Sequence, residues 1–139
     1  MIERFQYYLD ENLVRKTTPN KETAKALMTK AYERFEYVRQ QRISKSTASF
    51  IFEDIYESLR EGAQALMESK GYKPYSHEAI ISFLKEYYKF PQQYVSALDR
   101  YRILRNKCFY GASQISVETC KEAMGILAGF LPELRKELG

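Results

Sequence analysis

"STASFIFEDIYESLREGAQALMESKG", residues 46–71, reads as one long amphipathic helix. Ala48, Phe52, Ile55, Leu59, Gly62 and Leu66 recur at steps of three and four, the spacing that places apolar side chains on a single helix face. Gly71 follows in the position favoured for a left-handed helix cap. A stripe of this length has to be buried, so other helices are needed to cover it.

Working outward, "ISKST" (residues 43–47) breaks the chain and caps the long helix. The segment before it carries Ala24, Leu27, Ala31, Phe35 and Val38 at helical spacing. It reads as a helix from a Thr18 N-cap, with Pro19 at its first position, to about Arg42. A first short helix is expected over residues 2–15. On the other side, "GYKPYSH" (residues 71–77) is the most punctuated loop, and Ser76 can N-cap a helix running through Tyr88. Pro91 restarts a helix that reaches Tyr110 and stops at Gly111. Ser116, with Glu118 in the first turn, opens the last helix, which Pro132 is expected to kink or divide near Leu131. Period-two alternation is absent, so no strand is expected. The reading is all-α: an antiparallel up-and-down bundle with a four-helix core and extra short helices, forming one domain over residues 1–139.

The 139 residues suffice for a core without disulfide or metal support. No apolar run is long enough to span a bilayer, so no membrane partner is expected. The opening "MIERFQYYLDENL" has acidic residues where a signal peptide needs apolar ones, which points to the cytoplasm. Cys108 and Cys120 show no C-x-x-C spacing and read as reduced thiols. With His77 the sole histidine, no metal site is expected. There is no P-loop, no Gly-rich loop after a strand and no G-x-S-x-G, so no cofactor is expected either. A net charge of +4 is compatible with RNA, a nucleotide or an acidic partner and requires none of them.

The informative exception to apolar patterning lies in "RILRNKCFYG", residues 102–111. The stripe of that helix runs Tyr94, Leu98, Tyr101, position 105, Cys108, and position 105 is Arg105. Two readings are open. Arg105 snorkels or pairs with a carboxylate of a neighbouring helix, or the stripe is misphased by one residue. Alternatively it is held on a packed surface to bind phosphate, for which its planar fork is suited. Arg102, Asn106 and Tyr110 lie one turn apart in sequence and complete a compact polar group. His77 follows a helix N-cap, where an imidazole is either simply solvated or set near an anion; Lys73, Tyr75 and Ser76 are its neighbours. Tyr56 and Arg60, one turn apart beside the long stripe, line the same cleft or form a solvated, salt-bridged face.

With "RNKCFY" read as R-N-x-x-x-Y, the chain resembles the HEPN superfamily, whose hallmark is R-N-x-x-x-H near the end of a bundle helix. The resemblance extends to "IYESLREGAQALMESKGYKPYSHEAIISFLKEY" followed by "LDRYRILRNKCFYG", the succession of helix, loop, helix and motif of small stand-alone prokaryotic HEPN proteins, and covers roughly residues 45–135. It implies a helical bundle that forms a homodimer, often paired with a minimal nucleotidyltransferase in a toxin–antitoxin arrangement, and a fold similar to the helical substrate-binding domain of kanamycin-type nucleotidyltransferases. In active relatives the motif forms a metal-independent ribonuclease site.

Carried over by position, Arg105 and Asn106 match and Tyr110 stands where the histidine belongs. A phenol with a pKa of about 10 is a poor base at neutral pH. The expected function is therefore a nucleotide- or RNA-phosphate-binding regulatory module, with Arg102, Arg105, His77, Arg60 and Lys73 as ligand contacts. The alternative is a metal-independent RNase toxin using Arg105 and Asn106, with Tyr110 or His77 in proton transfer. Tyr110 is also a plausible acceptor for modification by a partner enzyme. A third reading is a scaffold in which Arg105 makes only a structural ion pair.

Overall fold

A computed structural model describes residues 1–109, 111 and 114–139 of the chain. Among these residues the fold is all-α with one small sheet. The elements are α1 (Phe5–Asp10), β1 (Val14–Lys16), α2 (Lys21–Arg39), α3 (Ala48–Ser69), β2 (Tyr72–Pro74), α4 (His77–Tyr87), α5 (Gln92–Phe109) and α6 (Val117–Leu138).

α3 is the central helix. All six residues of its apolar stripe are buried, and so are Ile51, Tyr56, Ala63, Ala65 and Met67 on its flanks. The burial is wider than one stripe because α2, α4, α5, α6 and β2 all pack against this helix. α2 runs antiparallel to it. As residue number rises from Met28 through Ala31 to Arg34, the facing partner falls from Gly62 through Ser58 to Asp54. α5 and α6 are antiparallel by the same test, with Tyr94 stacked on Phe130 and the Tyr101 hydroxyl donating to Glu122.

The sheet corrects the N-terminal expectation of a helix over residues 2–15. α1 ends at Asp10, and Asn12 adopts a left-handed φ of 59°, which no helix continues through. Val14 to Lys16 then pair antiparallel with Tyr72 to Pro74. Strands of three residues are too short to show a period-two pattern, so the sequence carried no signal for them.

The start of α2 also differs. Its N-cap is Asn20, whose side chain accepts from the Thr23 N–H at 2.9 Å, rather than Thr18. The chain before it is held in place at the end of α3: the Thr17 N–H donates to the Gly71 carbonyl and the Asn20 N–H to the Glu68 carbonyl. The helix cannot begin until that pairing is complete. It ends at Arg39, earlier than Arg42. The caps at Ser76 and Ser116 form as expected, each serine accepting from the backbone N–H three residues on. Pro132 does not divide α6; Phe130, Leu131 and Leu134 are buried on either side of it, and their packing keeps the helix intact.

Gly71 joins α3 to β2 with φ +85°, and a Cβ there would lie 2.5 Å from the Thr17 carbonyl oxygen. Gly71→Ala therefore combines a disfavoured backbone conformation with a steric clash. A loss of about 1–3 kcal/mol is expected in urea unfolding.

Candidate functional site

The candidate site lies where α3, the start of α4 and the second half of α5 meet. β2 fixes the approach of the chain, and the Ser76 cap makes His77 the first residue of α4. His77 is half-buried, and its Nδ1 lies 2.9 Å from the hydroxyl of Tyr56 on α3, with the two rings 5.6 Å apart. Tyr56 is only 2 % exposed, so it is not part of a solvated face. The Arg105 guanidinium carbon lies 5.8 Å from the centre of the Tyr56 ring. The charged residue in the apolar stripe of α5 thus rests over an aromatic face, a contact that tolerates a cation in a packed setting.

Two further arginines are anchored around this group. Arg60, one turn along α3 from Tyr56, makes a two-point pair with Glu57 at 3.0 and 2.9 Å and donates to Gln64 at 2.6 Å. Arg102, one turn before Asn106 on α5, donates through Nε and Nη2 to Asp99 at 3.1 and 2.9 Å. Its Nη1 is 3.8 Å from Glu78 of α4, an ion pair too long for a hydrogen bond. Both close pairs join residues three apart on one helix, so each guanidinium is oriented by its own helix.

The titration behaviour follows from this arrangement. Burial lowers the His77 pKa from its ordinary 6.5, and the charges of Arg60, Arg105 and Arg102 lower it further, while Glu57 opposes them. His77 is accordingly a neutral imidazole at pH 7. Burial raises the Tyr56 pKa despite the same three arginines, so Tyr56 remains a phenol. Burial works against ionisation of Glu57, yet the Arg60 guanidinium holds its pKa below the usual value. The Tyr56–His77 bond serves either tautomer: where the phenol donates to Nδ1 the ring carries its proton on Nε2, and where Nδ1–H donates to the phenol oxygen Nε2 is bare.

Of the residues singled out from sequence, the fold brings together Arg60, His77, Arg102 and Arg105. Lys73 is exposed, with its ammonium 6.0 Å from the Tyr75 ring. Asn106 is exposed on α5. Tyr110 lies outside the described residues. Tyr56 is the hub of the group, a role its position beside the stripe did not reveal. Glu57, Asp99 and Glu78 had given no signal; their three- or four-residue spacing to an arginine or a tyrosine is too common to single them out.

Among the described residues no cluster of three or more His, Cys, Asp or Glu side chains could hold a metal ion. Among them also, no helix is long and apolar enough to cross a membrane. Compared with known families, curated proteins and solved structures, the chain has no match in any of the three.

Chemically, the arrangement offers planar cationic donors from two helices, a neutral imidazole and an un-ionised phenol at one place. Guanidinium and imidazole N–H groups both suit the oxygens of a phosphate.

Proposed function

We propose that this chain is a HEPN-type regulatory module that binds the phosphate of a nucleotide or of RNA. The observation that carries the reading is the convergence of Arg60, Arg102 and Arg105 on the Tyr56–His77 pair. The R-N-x-x-x-Y sequence of residues 105–110 supports it from a separate direction. In this reading the module forms a homodimer and pairs with a minimal nucleotidyltransferase in a toxin–antitoxin-like system. Arg105 contacts phosphate, Arg102 and Arg60 supply flanking charge, and loss of the motif histidine at Tyr110 leaves binding in place of turnover.

The test is titration of the purified protein with 5′-AMP and with a short RNA, following heat release. A charge-assisted hydrogen bond contributes about 1.5–3 kcal/mol. Arg105→Ala is therefore expected to weaken binding by about 10- to 150-fold. Unchanged affinity in that variant would remove the basis of the proposal. Light scattering on the same samples reads the proposed dimer.

One observation favours a second reading. His77, a neutral imidazole, sits among the arginines and could act as a base in place of the missing motif histidine. The chain would then be a metal-independent ribonuclease. In the tautomer whose Nδ1–H donates to the Tyr56 oxygen, Nε2 is bare, and the RNA 2′-hydroxyl would lose its proton to Nε2 and attack the adjacent phosphorus. The 5′-oxygen would leave, taking up a proton, and a 2′,3′-cyclic phosphate would remain. Cleavage in EDTA, with cyclic-phosphate ends and loss in Arg105→Ala, would select this reading over binding alone. Activity that appears only in Tyr110→His would identify a nuclease scaffold lacking its proton-transfer group.

A further inference from the structure

His77 is positioned to report, and to strengthen, whatever anion the arginines hold. The ionisable groups around it come from each neighbouring element. α3 provides Tyr56, Glu57 and Arg60, and α5 provides Arg102 and Arg105, with Asp99 paired to Arg102. On its own helix Glu78 follows, near Arg102 and close enough to Tyr8 of α1 to act on that phenol. Lys73 of β2 is exposed and directed at Tyr75. Arg60 and Arg102 are paired with Glu57, Asp99 and Glu78, yet the net action of the arginines on the imidazole still opposes its protonation, and a further anion beside it would favour the proton.

We propose that the group formed by Arg102, Arg105 and His77 binds a phosphate- or sulfate-type oxyanion together with one proton, which His77 takes up from solvent. This deepens the proposed function and rests on it. The proton goes to the ring nitrogen that lacks one. Where the Tyr56 phenol donates to Nδ1, that nitrogen is Nδ1, and its new N–H is donated back to the phenol oxygen; where Nδ1–H already donates to the phenol, it is Nε2. A hydroxyl serves either state because it can donate or accept. Once the ring is protonated, Nε2–H is a donor available to the anion while Nδ1–H stays with Tyr56. The anion and the protonated ring stabilise each other, whereas either alone meets repulsion: the proton from the arginines, and the anion from Glu78 and Asp99. Tyr56 is a positioning residue in this scheme, holding the ring between the two helices.

The sign follows from linkage. His77 in the unliganded protein titrates below its ordinary 6.5 because burial and then the arginine charges oppose protonation. A bound oxyanion offsets those charges and raises that value. Between the two values one proton accompanies each anion, so affinity rises by about tenfold for each unit the pH falls. Below the lower value His77 is protonated with or without the anion, and the gain levels off.

The chain contains one histidine, so the imidazole ring protons can be followed by proton NMR without assignment. The ring signals of the full chain are titrated over about pH 5 to pH 8 with and without sulfate, whose own charge is constant there. Sulfate binding is measured in parallel by calorimetry. A midpoint that moves up on saturation with sulfate, and affinity that rises on acidification, are the expected results. In Arg105→Ala the unliganded midpoint should already lie higher, and sulfate should move it little. Saturable sulfate binding with an unmoved His77 midpoint would overturn this inference and leave the phosphate-binding reading standing. Absence of binding by sulfate, 5′-AMP and RNA alike would overturn both. Displacement of sulfate by 5′-AMP but not by a DNA oligonucleotide would identify a terminal phosphate as the ligand, and the reverse would identify a phosphodiester backbone.

Discussion

Arg34→Ala should destabilise the fold by about 3–5 kcal/mol, a large share of the roughly 5–15 kcal/mol that holds a typical domain together. Glu61 of α3 is buried at 2 % exposure, and Arg34 of α2 donates to its carboxylate through Nε at 3.0 Å and Nη2 at 3.2 Å. The same guanidinium reaches Asp54 at 2.9 Å, so one side chain pins two turns of α3 to α2. Lys30 is the other cation near Glu61, but at 3.8 Å and 64 % exposed it is a weak replacement. Removing Arg34 therefore leaves a carboxylate in the helix interface with too little compensation for lost hydration. Urea unfolding of the variant checks the loss. The double variant Arg34→Met, Glu61→Leu should recover most of it, because the cost comes from the stranded charge and not from a missing attraction. Failure of the double variant to recover would mean that the ion pair itself stabilises the α2–α3 interface.

Phe52→Ala should cost a similar amount, about 3–5 kcal/mol, by opening a cavity between α3 and α5. Both Phe52 and Tyr101 are inaccessible to solvent, and their rings meet edge to face with centroids 5.3 Å apart. The position matters beyond stability. Phe52 lies one turn before Tyr56, and Tyr101 one turn before Arg105, so this contact supports the place where arginine rests over tyrosine. A variant that still folds should therefore show a His77 midpoint shifted back toward 6.5, as the burial and the arginine charges that depress it both relax. Loss of stability with an unchanged midpoint would show that the site is held by α4 and its cap and not by the α3–α5 packing.

A different kind of information set each part of this molecule. Long-period features were written in the sequence: the stripe from Ala48 to Leu66, the serine caps at positions 76 and 116, and the glycine after α3. They depend on residues close in the chain, where propensity, periodicity and capping act. Arg105 was also visible, as a charge in an apolar stripe. Short-range reading failed where a distant segment supplied the partner. Val14 to Lys16 is a strand because Tyr72 to Pro74 lies beside it, and α2 starts late because Thr17 and Asn20 bond to the end of α3. Pro132 stays within one helix because its neighbours are buried by other elements.

The site belongs to the second kind. No spacing relates Tyr56, His77 and Arg105, which come from three helices, the first and last of them 49 positions apart in the chain. A solvated tyrosine and a solvated histidine were reasonable readings of the sequence. Tertiary packing buries the phenol, hydrogen-bonds it to the imidazole and sets both among guanidinium groups. The sequence by itself determined a helical protein with one misplaced arginine. Folding decided what that arginine faces, because proximity between side chains so far apart in the chain exists only once the core between them has closed.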